Sequence, residues 1–324
     1  MIRPLHPPRQ RGAALLTAMV IVTLVATLAS AMVWQQWRAV QVEAAERSRL
    51  QSAWILTGAL DWARLILRAD VRSGRATALT EPWATPLAEA RLSTFLAADK
   101  DHTDDATEAF LSGAIADAQS RYNLGNLIVG GKVSPPDLAV FRRLCGLAGV
   151  SAGVADAVAA RLQDAQADPA QQTQQQSQQQ SPAGAPLAPQ SVAQLAWLGV
   201  DAATLQRLAP LVVVLPQPTP VNLNTAPREV IAAVIEGLDL GGAERLVQGR
   251  QRTPFQNAAA VAPLLAASAV IDPRQAGFRS DYFEVSGRLR LGDRVLEERS
   301  LVVRRGLDVV PLRRERTSLN APAG

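Results

Sequence analysis

Residues 13–33, AALLTAMVIVTLVATLASAMV, contain no charge, no proline and no glycine. As a helix this stretch is about 30 Å long, the thickness of a bilayer's hydrocarbon core. A rod so uniformly apolar must lie in lipid or against other protein. Arg3, Arg9 and Arg11 precede it, and Trp34, Trp37 and Arg38, types that favour the membrane interface, follow. The charge asymmetry holds the short N-terminal side in the cytoplasm and sends the rest outside. The helical pattern then runs on without a break, so the chain reads as an anchored stalk carrying an extracytoplasmic head.

Three processing routes fit residues 1–33. One is a secretory signal peptide cleaved at Ala29-Ser30-Ala31, one an uncleaved signal anchor, and one a leader cut on the cytoplasmic side of the apolar run, after a glycine. A signal-peptide core is about 7–15 residues, shorter than this run. The helical pattern also crosses Ala31 without a turn signal, which favours the third route.

No proline interrupts residues 13–81, and Gly58 is the only glycine between Ala13 and Gly74. Val40, Leu50, Ala53, Trp54, Leu60, Ala63 and Leu67 recur mostly at three- and four-residue steps, with Glu43, Glu46, Arg47, Asp61, Arg64 and Arg68 between them. This predicts an amphipathic helix whose stripe, after residue 50, packs on the chain's own head. Ser73-Gly74, Glu81-Pro82 and Thr85-Pro86 end it.

Hydrophobic residues make up 48% of the 324-residue chain, enough for a globular body, and the net charge of +4 comes from arginines spread along it. That is not the concentrated basic face of a nucleic-acid binder. A single cysteine, Cys145, excludes an intrachain disulfide, and His6 and His102 cannot build a His/Cys zinc site. Neither His102 nor Cys145 has an evident catalytic partner, and no nucleophile–base motif appears, so the chain does not read as an enzyme.

Within the head, residues 83–98 carry a short helical pattern of Leu87, Leu92, Phe95 and Leu96. The following loop holds Asp99, Asp101, Asp104, Asp105 and Glu108; its oxygen ligands admit calcium weakly, and a solvated acidic loop is the plainer reading. A strand is expected over 114–121 and a turn over 123–126. Ser134 starts a run of short helices that continues to residue 164 and resumes at Ser191. Between them, eight glutamines in ten positions (171–180) mark a loop without core-forming residues. Asn224 or Thr225 is expected to cap a helix with Pro227 in its first turn, and Gly241-Gly242 to open another. Residues 278–305 alternate Leu and Val with Arg and Glu around a Gly292-Asp293 turn, a β-hairpin with one buried face. The tail from Val310 reads as frayed.

The segment RQRGAALLTAMVIVTLVATL resembles the prepilin-peptidase site of type II secretion pseudopilins. The resemblance places the cut between Gly12 and Ala13, with Ala13 the new, N-methylated terminus. Thr17 stands where most such proteins carry a glutamate, which suits the K-type minor pseudopilins. Asp117 to Leu127, with Tyr122, Asn123, Leu124 and Asn126, is similar to a K-type signature in which Gly125 replaces an asparagine. The segment VNLNTA, with Asn222, Asn224 and Thr225, resembles the helical region of the same family.

The likeness covers nearly the whole chain and implies an α+β fold. A pilin-like long N-terminal helix packs on an antiparallel sheet, with a large inserted all-α domain. The implied parts are a leader at 1–12, a membrane half-helix at 13–33, and the helix with the first part of the α/β domain at 34–130. An inserted helical domain follows at 131–264, containing the 165–190 loop, and then C-terminal strands at 265–324. It also implies a single-pass inner-membrane protein that starts or caps a periplasmic pseudopilus. The implied partners are the I-, J- and H-type minor pseudopilins, the major pseudopilin and the prepilin peptidase, with no nucleic acid. No cofactor is implied, although some members bind calcium.

Two other readings compete. Asn-Thr-Ala followed by paired short helices resembles a helix-hairpin-helix unit of membrane-tethered DNA-uptake proteins, with Gly237-Leu238-Asp239-Leu240-Gly241 as its hairpin. Asp239 there faces the place of a phosphate, and no lysine follows. The other is a generic signal-anchored binding module.

Overall fold

The computed structural model describes residues 11–92, 109–166 and 187–320, apart from 267 and 293. Two compact units divide between Thr57 and Gly58. One helix, α1 (Arg11–Arg72), supplies the first unit and the opening of the second. From Ala14 to Ala44 every side chain of α1 is exposed, and this apolar part is long enough to cross a membrane.

In the second unit the end of α1 is a core helix. Leu60, Ala63 and Leu67 are buried against Phe283, Val285, Val302 and Val309. The anticipated stripe mixed two faces: Trp54 is 74% exposed and Leu50 61%. Trp54 precedes Leu60 by six residues, a rotation of about 240° that carries it off the buried face.

The sheet that receives α1 has the order β1-β2-β9-β10-β11, antiparallel throughout. Its strands are β1 (Leu87–Arg91), β2 (Ala109–Asp117), β9 (Tyr282–Leu291), β10 (Arg294–Arg305) and β11 (Asp308–Asn320); the two-residue strands β3 (Tyr122–Asn123), β4 (Ile128–Val129), β5 (Lys132–Val133), β6 (Val212–Val213), β7 (Val221–Asn222) and β8 (Ala276–Gly277) lie between β2 and β9 and pair among themselves. The β9–β10 hairpin closes at Gly292, whose φ of +53° suits a glycine. Where a helix was expected from residue 83, a 3-10 turn (Pro82–Ala84) leads into β1. Pairing with β2 overrides the helix preference of Leu-Ala-Glu-Ala-Arg; residues 93–98 lie outside the described set. The strand expected over 114–121 instead ends at Asp117. The tail that reads as frayed is β11, paired with β10 along its length. Pro311, a bulge at Leu312 and several arginines guard its outer edge against further pairing.

β2 and β9 are hydrogen-bonded neighbours, so residues 118–281 leave and re-enter the sheet at one place. This insert is largely helical, with α2 (Pro135–Leu147), α3 (Ala152–Gln166), α4 (Ala202–Leu208), α5 (Arg228–Val234), α6 (Leu240–Arg252) and α7 (Ala258–Val261). Phe141, Leu144, Val158, Leu195, Val230, Ile231 and Leu246 build its own core. Side chains alternate across β10: Val302 faces α1, while Leu301 and Val303 join Ala118, Val213, Leu215 and Tyr282 on the opposite face. The sheet thus carries the helix on one side and the insert on the other.

Leu67→Ala should destabilise the folded head by about 2–5 kcal/mol, since Leu67 is fully buried. Leu65→Ala, at a position 61% exposed, should change it by less than about 0.5 kcal/mol. Denaturant unfolding of the full chain in detergent micelles distinguishes the two.

Candidate assembly surface and the polar junction

Asp117, the last residue of β2, is 3% exposed, and its carboxylate is the centre of the junction. Oδ2 accepts from Thr225 Oγ1 (2.6 Å), Ser280 Oγ (2.6 Å) and Asn222 Nδ2 (3.0 Å), while Oδ1 accepts from the Gln119 amide (2.8 Å). These donors are all neutral. Burial raises the carboxyl's pKa above the ordinary carboxylate range, and the four donors oppose that rise.

Asn222 Nδ2 also reaches the Thr77 carbonyl at 3.0 Å, which ties the chain after α1 to the insert. Asn222 lies in β7 (Val221–Asn222), which pairs in parallel with β8 (Ala276–Gly277) just before β9 begins. Arg304 completes the cluster from β10. It lies 4.6 Å from the Phe283 ring centre, meets Asp70 at 2.5 Å, and donates to Thr77 Oγ1 and the Ser280 carbonyl.

Three other asparagines clamp backbone. Asn123 donates to the Gln217 carbonyl and accepts from the Gly125 and Leu215 amides. Asn126 pairs with both the amide and the carbonyl of Thr219, and Asn224 does the same to Phe255. Tyr122 is fully buried and donates to the Asp137 carbonyl; Leu124 sits in the insert core. Gly125 stands where a β-carbon would come within 2.9 Å of the Leu215 carbonyl oxygen, so the close approach of the two segments requires glycine.

The structure therefore brings Asp117, Asn222 and Thr225 onto one carboxylate and uses Asn123, Asn126 and Asn224 as clamps nearby. Asn224 and Thr225 do not cap the following helix; Pro227 occupies that position in α5. Thr77, Ser280 and Arg304 join the junction without any local sequence signal, because their partners there lie far along the chain, whereas the Gln119 amide meets Asp117 two residues away. Arg250 also escaped the sequence reading. It is buried, donates to the carbonyls of Leu223 and Ala226, and burial lowers its pKa to about 10. Cys145 is buried, with its thiol pushed up to about 11 by desolvation.

Gly12 and Ala13 fall in the first turn of α1, and Thr17 is exposed on it. The second exposed feature is the outward face of α1 in the head, where Trp62 is 52% and Leu65 61% exposed beside the Asp61–Arg64 ion pair. Asp99, Asp101, Asp104 and Asp105 lie outside the described residues. The helix-hairpin-helix reading is not supported. Asp239 is the N-cap of α6 and its own carboxylate accepts from the Gly242 amide at 2.7 Å, so it occupies an amide that a phosphate would need.

Asn224→Ala leaves the buried amide and carbonyl of Phe255 without their side-chain partners and should cost at least about 2 kcal/mol. Asp156→Ala, which breaks a half-exposed pair with Arg142, should cost less than about 1 kcal/mol. Chemical denaturation of the full chain checks both.

Two family models, each described as "Type II secretion system (T2SS), protein K", match residues 120–217 and 221–283. The chain is 30% identical over 263 residues to the type II secretion system protein K of Pseudomonas aeruginosa, covering 76% of this chain and 74% of that one. It is 26% identical over 335 residues to that of Pectobacterium carotovorum subsp. carotovorum, covering 95% and 96%. A crystal structure of the GspK-GspI-GspJ complex from enterotoxigenic Escherichia coli has a chain of the same fold, with a TM-score of 0.59 at 17% identity over 84% of this chain and 98% of that chain. The chain belongs to the type II secretion system protein K family.

Proposed function

We propose that the chain is a minor pseudopilin that joins other minor pseudopilins at the tip of a periplasmic pseudopilus, where it starts or caps the filament that supports export across the outer membrane. The observation that carries this reading is the division of α1. Its last turns are buried on the sheet, whereas Ala14 to Ala44 offers only exposed side chains. An apolar rod left uncovered by the described residues is suited first to lipid and then to the helices of neighbouring subunits.

The N-terminus lies in the cytoplasm, the helix spans the inner membrane and the head stands in the periplasm. Prepilin peptidase cuts between Gly12 and Ala13, and Ala13 is then methylated. The E. coli neighbour is held in a complex with GspI and GspJ. By analogy the partners here are the I- and J-type minor pseudopilins, with the H-type and the major pseudopilin below. Trp62 and Leu65 are the contact we assign to the head part of the helix. The chain has no catalytic chemistry of its own in this role and requires no cofactor. A calcium ion on Asp99, Asp101, Asp104 and Asp105 is the metal such oxygen ligands would hold.

Mass spectrometry of the membrane form tests the processing step. Cleavage after Gly12 that depends on prepilin peptidase is expected, and Gly12→Glu should block it; an intact N-terminus, or cleavage after Ala31, overturns the reading. Trp62→Arg should weaken capture of the I- and J-type partners by about tenfold or more while leaving the unfolding midpoint unchanged.

A further inference from the structure

The outward face of α1 in the head changes character along its length. Trp62 and Leu65 are exposed and apolar. Arg68 and Arg72 follow Leu65 at steps of three and four residues, so they share its face, and both are exposed. Arg75 is exposed in the loop just beyond the helix. Arg279, exposed shortly before β9, comes to the same place, because its guanidinium donates to the Gly74 carbonyl at 2.5 Å. Arginines from α1, from the loop after it and from the end of the insert thus gather at the C-terminal end of α1.

The flanking carboxylates do not balance them. Asp61 pairs with Arg64 on its own helix. Asp70 meets Arg304 at 2.5 Å, and both side chains are under a tenth exposed, so that pair adds no net charge to the surface. Glu81 is half-buried and turned to the Trp83 indole at 2.8 Å and the Ala78 amide at 3.2 Å. Asp281, two residues beyond Arg279, is the exposed carboxylate left on this side of β9. Among the described residues Arg68, Arg72 and Arg75 meet no carboxylate, and Arg279 meets a carbonyl.

The helix dipole accounts for only part of the cluster. It favours cations in the last turn of a helix and fades beyond that turn. Arg72 lies in that last turn, and Arg279 bonds the chain end at Gly74. Arg68 stands a turn further back and Arg75 lies past the helix, so neither serves the helix end.

We propose that this arginine cluster is a docking patch for carboxylates on the neighbouring subunit that covers Trp62 and Leu65. That partner presents an apolar stretch followed by acidic side chains. The inference rests on the assembly role proposed above and adds to it the chemistry of the partner. Guanidinium groups match carboxylates two bonds at a time. Charges at the rim of an interface act on encounter and on the choice of partner more than on affinity. The uncharged run at 13–33 suits any apolar helix; the arginines supply the discrimination that such a run lacks.

Association of the full chain in detergent micelles with an equimolar mixture of purified I- and J-type partners, followed by biolayer interferometry at low and high salt, tests the proposal. Arg68→Glu/Arg75→Glu reverses two exposed charges and leaves Arg72 and Arg279 at the helix end. The double variant should associate about tenfold more slowly than wild type at about 0.1 M salt. The two should agree at about 1 M, where the screening length falls from about 10 Å to about 3 Å. Its unfolding midpoint should stay within about 2 °C of wild type, as surface substitutions do. A double variant that associates like wild type at low salt, while Trp62→Arg loses capture, overturns the patch and leaves the assembly role standing. If Trp62→Arg also associates like wild type, the assembly role falls with it. A double variant that stays equally slow at high salt also overturns the patch, since charge would not then be the cause. Duplex DNA is the control anion: its capture by the wild-type chain, lost in the double variant while partner association is unchanged, assigns the arginines to phosphate and overturns the proposal.

Discussion

The head depends on the carboxylate of Asp117. β2 and β9 are adjacent strands, yet residues 118–281 lie between them in the chain. Closing a loop of that length costs entropy that rises only slowly with size; the harder requirement is holding exit and re-entry at one point of the sheet. Asp117 ends β2 and Ser280 lies just before β9, and the 2.6 Å bond between them joins the two ends of the insert. Asn222 and Thr225 bring the middle of the insert to the same oxygen. Apolar burial alone fixes no direction, whereas a satisfied buried network admits one arrangement of donors around one acceptor. Each member is then costly to remove, because its partners stay buried without compensation.

α1 obeys a different rule at each end. In the head it presents Leu60, Ala63 and Leu67 to the sheet, a seven-residue span of three- and four-residue steps that buries one face only. Towards the N-terminus the apolar character goes all round, so no single face is selected and the side chains are exposed among the described residues. A helix of that composition is stable in lipid because its backbone bonds are internal and its surface matches the acyl chains. One element therefore carries both the folding information of the head and the surface that reaches outside it.

The parts legible in the sequence were those set by short-range periodicity. The 62-residue α1, its stop at Ser73-Gly74, the β9–β10 hairpin and the helical insert all follow from local spacing and turn residues. The strands misread were the two at the sheet's edges. β1 is built from helix formers, and β11 carries a proline and alternates less clearly; both take their conformation from a neighbouring strand rather than from their own residues. At the junction the asparagine-rich segments were visible, but their task was not. Asn224 and Thr225 precede a helix and read as caps, yet their bonds go to Phe255 and Asp117. Serine, threonine and asparagine serve local turns and distant networks with the same atoms, and sequence spacing reports only the local use.

The same limit explains why two short helices could pass for a DNA-binding hairpin. Backbone amides at a helix N-terminus accept any anion of suitable size. What decides between a phosphate and a side chain is whether the chain supplies its own carboxylate, and here Asp239 bonds the Gly242 amide from within the hairpin. Arg250, a cation on the same helix α6, points inward to two carbonyls. Phosphate affinity grows with the number of cations gathered on one face. A helix pair that spends its carboxylate on its own amide and its cation on the carbonyls of Leu223 and Ala226 has directed that chemistry to holding the insert together, which is what an insert that leaves and re-enters the sheet at one place requires.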